Sequence, residues 1–366
     1  MAQEKTRLRA IDLARGLAVF FMILVHVLIT YSAPEVAHSL FGNIVGFLGG
    51  PPAAPVFMAL MGISFYYSRH TEFKYGVQRG LWLILLGYIL NLLRGVLPIV
   101  YVNLLSPSRA AQIPDAVASL TDAFLELDIL QFAGLAFIAM AVIREVRVNR
   151  YVLLLLAAAT AMVSPFLWGV GSDVPVAGHL LDYLWGNIPS QEPSIGNLVS
   201  FPFFPWFAYV LVGMFLGDTL KRSTDLNATF RKMGLIGFLI SVISLAFIAP
   251  NYSYHVGDFY HSRPGFVAFV VGIVLAWVYL CQLAVGHIRP NRPFEVIYYW
   301  SKNVNVIYLV QWVLIMWGAD LILGFNKSSY SITVFVMLFM AIASHAITGV
   351  WLHLKRRDAP HVSAEA

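Results

Sequence analysis

Three ionisable residues share the first apolar stretch. In RLRAIDLARGLAVFFMILVHV, residues 7–27, Asp12 and Arg15 are followed by a single histidine, His26, in otherwise apolar sequence. Arg15 and His26 are eleven residues apart, which is three turns of helix, so both fall on one face about 16 Å apart along the axis. Asp12 lies one turn below Arg15. One stripe then carries a charge pair near one end and an imidazole further along. An imidazole, whose ordinary pKa is near neutrality, serves as a general base or as a nucleophile. The plainer reading is that Asp12 and Arg15 lock the helix end and that His26 bonds a backbone carbonyl.

Other polar residues interrupt apolar sequence at comparable depth. Counting about 1.5 Å per residue, Asn91 and Arg94, Asp128 and Gln131, and Gln311 fall near the level of His26. Ionisable groups inside a membrane are costly and face a cavity or a partner. These residues therefore read either as a reaction chamber or as structural pairs: an Arg94–Asp128 ion pair, with Gln131 and Gln311 as interhelical hydrogen-bond glue. His345, nearer the other end, reads as structural.

The elements that must hold these residues follow from composition. The chain has 366 residues, 59% hydrophobic and 12% charged. Apolar segments near 10–31, 44–67, 80–102, 124–143, 151–168, 200–219, 233–250, 264–285, 296–319 and 331–353 are long enough to cross a bilayer. The sequence predicts an all-α polytopic membrane protein of about ten transmembrane helices, a single domain over residues 1–366. GGPPAAP, residues 49–55, should break the second helix, which is tolerated where a helix lines a cavity or packs on protein. The first apolar run continues too far for a cleavable signal peptide and reads as the first span. The lone Cys281 excludes an internal disulfide and no cysteine pattern suggests a metal site.

Basic residues set the orientation. With the N-terminus cytoplasmic, eighteen Lys and Arg fall on inner segments, and only Arg109, Arg263 and Lys327 on outer loops. This bias predicts that both termini are cytoplasmic. It also explains the net charge of +5 without nucleic acid, since the basic residues mark topology and face anionic lipid or a cytosolic anion. The outer loops, 169–198 and 250–264, mix aromatic and polar residues, among them Asp182, Glu192, Tyr254, Asp258 and His261. That mixture suits a sugar-like acceptor, or equally an interfacial aromatic belt.

RLRAIDLARGLAVFFMILVH resembles the first helix of the transmembrane acyltransferase superfamily. The group includes heparan-α-glucosaminide N-acetyltransferase-like proteins and bacterial envelope polysaccharide O-acyltransferases. PVFMALMGISF (55–65), VQRGLWLILLGYILNLL (77–93), LDILQFAGLAFI (127–138), FPFFPWFAYVLVGMFLG (201–217) and SKNVNVIYLVQ (301–311) are similar, in order, to segments of the N-acetyltransferase-like branch. The Arg15–His26 spacing is that of the O-acyltransferase branch. The animal lysosomal members have another residue at the His26 position and a catalytic histidine in the following loop, where His38 is the nearest match. Gln311 stands where the family usually has histidine.

The resemblance implies transfer of an acyl group, acetyl first of all, from cytosolic acyl-CoA to an extracytoplasmic sugar or amino sugar, without a metal, in the plasma (inner) membrane. His26 is the favoured catalytic base and His38 the alternative, with Asp128 and Gln131 beside them. An acyl-histidine intermediate stays open. Arg9, Asp12, Arg15, Arg79 and Asn303, with Lys302 nearby, are expected at the CoA mouth, because arginine suits phosphate geometry. The plainer reading of Arg9 and Arg79 is positive-inside anchoring. Asn91, Arg94, Trp206, Tyr308 and Gln311 are expected around the substrate, and one of Asn91, Gln131 and Gln311 would stabilise an oxyanion. A homodimer is left open. The rival readings are a transporter or flippase of an envelope solute, against which no inverted repeat is found, and a structural subunit of an envelope-synthesis complex.

Overall fold

A computed structural model of the chain describes residues 8–68, 70, 72–105, 120–174, 177–187 and 199–357. Thirteen helices carry the argument: α1 Arg9–Tyr31, α2 Leu40–Gly49, α3 Ala54–Tyr67, α4 Phe73–Asn91, α5 Leu97–Leu105, α6 Ile129–Glu145, α7 Arg150–Leu167, α8 Phe203–Arg222, α9 Leu226–Ile248, α10 Pro264–His287, α11 Arg292–Lys302, α12 Val304–Gly318 and α13 Tyr330–Arg357. The described residues form helices, turns and two isolated β-bridges, with no strand ladder among them. Among the described residues, nine spans are long and apolar enough to cross a membrane: α1, α2 with α3, α4 with α5, α7, α8, Leu226–Val256, α10, Val304–Leu323 and α13. The protein is an all-α polytopic membrane protein. Its lipid side is apolar and open, as Phe166, Phe247 and Phe335 illustrate.

The remaining expected span differs from the sequence reading. The apolar segment near 124–143 is a broken helix. Leu120–Leu125 ends, an extended link follows, and α6 begins at Ile129 with 17 residues. Asp128 caps α6 from inside the bundle: its carboxylate accepts from Ile129 N at 2.7 Å, and Gln131 Oε1 accepts from Asp128 N at 3.2 Å. A buried cap satisfies backbone donors that would otherwise be orphaned in hydrocarbon. The freed carbonyls also find partners. Asn91 Nδ2 donates to Phe124 O at 2.9 Å and to Glu126 O at 2.7 Å. Tyr183 Oη donates to Leu125 O, and Ser200 N donates to Leu127 O at 3.0 Å.

The segment near 296–319 also divides. α11 is a separate helix ending at Lys302, Asn303 turns the chain, and α12 starts at Val304. Gln311 is therefore about 10 Å into its span rather than about 22 Å. The break in GGPPAAP occurs as expected, between α2 and α3. Two helices contain π turns, Leu92–Val96 after α4 and Ala319–Leu323 after α12.

Contacts sort the bundle into two ends. At one, Arg15 Nη2 donates to Ser64 Oγ at 2.6 Å, Ser301 Oγ donates to Asp12 Oδ1 at 3.4 Å, and Arg144 donates to the Phe65 carbonyl. Trp300 Nε1 donates to His345 Nδ1 at 2.9 Å, so His345 ties α11 to α13. At the other end, Lys327 N donates to Tyr31 O at 2.9 Å, and Arg263 lies over Tyr254 and Trp168. Lys5, Arg7, Arg69, Arg109, Glu192 and the side chains of Arg356 and Arg357 lie outside the described residues.

Candidate functional site

The polar layer is assembled from four spans. Arg94, on the π turn after α4, is 4% exposed. A π turn adds a residue to the helix and re-aims the side chains on it, a device frequent at functional sites. Arg94 Nη1 lies 2.9 Å from Asp128 Oδ2 and Nη2 lies 3.1 Å from Glu126 Oε2. Its guanidinium also covers the Trp312 ring at 4.6 Å. Tyr308 Oη donates to Asp128 Oδ2 at 2.7 Å. One cation therefore faces two carboxylates, a phenol and an indole.

His26 sits on the open side of this group. Its ring stacks on Trp312 with centroids 4.1 Å apart and meets Tyr308 edge-on at 6.2 Å. His26 is half-buried, yet its Nδ1 is fully enclosed. Gln311 is fully buried within side-chain hydrogen-bonding range of this ring, and its amide has no other protein partner among the described residues. Buried polar atoms without partners are rare in native proteins and point to strain or to function. Beside an ion cluster, an imidazole can take a proton and an adjoining carboxamide can donate to a developing oxyanion.

Other expected residues take different positions. Asn91 and Gln131 stand beside the cluster, but both amides hold the break before α6; Gln131 Nε2 donates to Glu126 O at 3.2 Å. Gly87 of α4 makes room for Gln131, since a Cβ there would stand 2.5 Å from Gln131 Cδ. Trp206 is buried on α8, where Nε1 donates to Tyr260 O at 2.9 Å, so it anchors the outer loop. His38 is exposed, between Pro34–Ala37 and α2, and its Nδ1 is 2.8 Å from Pro34 O. Asp12 and Arg15 pair at 3.3 Å and bridge α1 to α3 and α11. Arg9 and Lys302 are exposed and Arg79 half-buried. Asn303 Nδ2 donates to Tyr299 O at 2.9 Å.

A family model, the catalytic part of heparan-alpha-glucosaminide N-acetyltransferase, matches residues 7–247. The chain belongs to this family. It is thus a member of a transmembrane acetyltransferase family, as the motifs around Arg15 and in α3 to α8 suggested. No curated protein matches the chain. The matched region holds His26, Arg94 and Asp128, whereas Tyr308, Gln311 and Trp312 follow it.

Sequence reasoning missed Glu126 and Trp312. Trp312 carried a signal: it is four residues from Tyr308 and so on the same helical face. Glu126 lay in the ELD run, two residues before Asp128, and its role appears only once the helix breaks there.

Proposed function

We propose that the protein transfers an acyl group, acetyl in the first instance, from cytosolic acyl-CoA to the amine or hydroxyl of an extracytoplasmic sugar, with His26 as general base. The observation that carries this is the pairing of His26 with the buried Gln311 amide, neither with another hydrogen-bond partner among the described residues, beside the Arg94 cluster. Asp12 and Arg15 occupy the inner end of the same α1 stripe, about 16 Å away along the axis, a distance that suits the pantetheine arm. The CoA phosphates bind at the basic mouth around Arg15, with Arg9, Arg79 and Lys302 nearby. The acceptor atom bonds to the thioester carbonyl carbon as its proton passes to His26. The Gln311 amide donates to the oxyanion, because Asn91 and Gln131 are engaged elsewhere. The C–S bond then breaks, and His26 returns the proton to the departing CoA thiolate. Tyr308 and Arg94 position the Trp312 face on which His26 stacks.

The test is transfer by purified His26→Ala and His38→Ala, with acetyl-CoA and amino-sugar or hydroxyl acceptors. His26→Ala keeps its fold and CoA affinity but loses transfer about a hundredfold or more, the scale of general-base loss. His38→Ala is milder. Normal transfer by His26→Ala with an inactive His38→Ala would move the base to the loop.

A further inference from the structure

Four arginines at the Arg15 end of the bundle have no part in this reaction. A cavity of about 510 Å³ lies where α6 ends, α7 begins and α8 closes. Arg144, Arg147, Arg150 and Arg222 line it, against one lining carboxylate, Asp218. Asp218 accepts from Arg222 Nε at 3.0 and 2.8 Å, and Arg150 Nη1 is 3.6 Å from it. Arg222 keeps both terminal nitrogens for another acceptor. Arg150 Nη2 donates to Tyr151 Oη at 2.7 Å. Arg144 rests on the Phe65 ring at 3.6 Å. Arg147 is exposed at a left-handed φ of 52°, and its side chain makes no hydrogen bond or ion pair among the described residues.

The balance is four cations to one anion, three in excess, around a half-open cavity. A cluster built only to mark topology has no need of a cavity or of a buried carboxylate that orients two of the guanidinium groups. Planar guanidinium donors match phosphate oxygens. The flank is apolar and open: Val146, Tyr151 and Leu155 are 65%, 58% and 69% exposed. A phosphate seated here would have its substituent beside the lipid-facing side of α7.

We propose that this cavity is a phosphate-binding site, taking the headgroup phosphate of an anionic phospholipid or a free phosphate from solution. The proposal does not depend on acyl transfer. Its test is native mass spectrometry of the purified full chain in detergent with phosphatidylglycerol or phosphatidylcholine, beside thermal unfolding with inorganic phosphate. Preferential retention of phosphatidylglycerol is expected. Arg147→Gln, which breaks no internal contact, and Arg222→Gln should each weaken retention about fivefold, the scale of one basic residue at a membrane surface. Arg289→Gln, another exposed basic position, should not. If inorganic phosphate alone raises the unfolding temperature, and Arg147→Gln removes the rise, the site serves soluble phosphate. The proposal is overturned if neither ligand responds to Arg147→Gln, or if Arg289→Gln weakens retention as much.

Discussion

Arg94 pairs with two carboxylates and covers an indole at the same time. Removing one partner of a buried ion cluster leaves uncompensated charge, which costs about 3–5 kcal/mol. Arg94→Met should therefore lower the unfolding temperature in detergent sharply and abolish transfer. Adding Glu126→Gln and Asp128→Asn should recover most of the stability without the activity. A single Arg94→Met that unfolds like wild type would show that the cluster contributes no net stability. Arg15 can be tested apart from its structural bond. Arg15→Ala should weaken acetyl-CoA binding by tenfold or more, since a hydrogen bond to a charged group is worth about 1.5–3 kcal/mol. Ser64→Ala, which removes only the bond from Arg15 to α3, should bind CoA nearly normally. Equal losses in the two variants would make Arg15 a structural anchor.

Breaks in the helices matter more here than their lengths. α6 starts inside the bundle because Asp128 and Gln131 form a capping box there, and the link before it offers carbonyls to Asn91. α11 leaves α12 at Asn303 and packs on α1 so closely that a Cβ at Gly16 would stand 2.2 Å from Ile297 O. Small residues let membrane helices approach at such points. Gly16→Val should push α11 away, stretch the Ser301–Asp12 contact and cost about 1–3 kcal/mol as overpacking does, measured as thermal stability in detergent. An unchanged unfolding temperature would mean that α11 is only loosely seated. The GGPPAAP break was legible because Gly and Pro announce it. The breaks at 126–128 and 303 contain neither; the Asp128–Gln131 capping box marks the first in the sequence, while the second has no side-chain cap to announce it.

For the whole molecule, the basic asymmetry predicts the orientation, which can be tested directly. In a Cys281→Ala background, a cysteine at the exposed Thr224 should label only from the cytoplasmic side, and one at the exposed Lys327 only from outside. Labelling of position 224 in intact cells by an impermeant reagent would invert the protein and, with it, the proposed side of CoA binding.

Sequence alone determined that the chain is helical and membrane-spanning, because the length and apolarity of a span are local properties set by bilayer thickness. It also determined the Arg15–His26 stripe, a consequence of helical period, and the family motifs. Depth counting put Asn91, Arg94, Asp128, Gln131 and Gln311 near His26, and the layer does form, although the count for Gln311 assumed a helix that in fact begins at Val304. Only the tertiary structure decided which of these residues are engaged and which are left open. Asn91 and Gln131 hold backbone at a break, Trp206 anchors a loop and His38 bonds its own turn, while His26 and Gln311 have only each other as hydrogen-bond partners among the described residues. That distinction depends on hydrogen bonds between residues far apart in the chain, such as Tyr308 to Asp128. No periodicity along one helix encodes the partner that another helix presents.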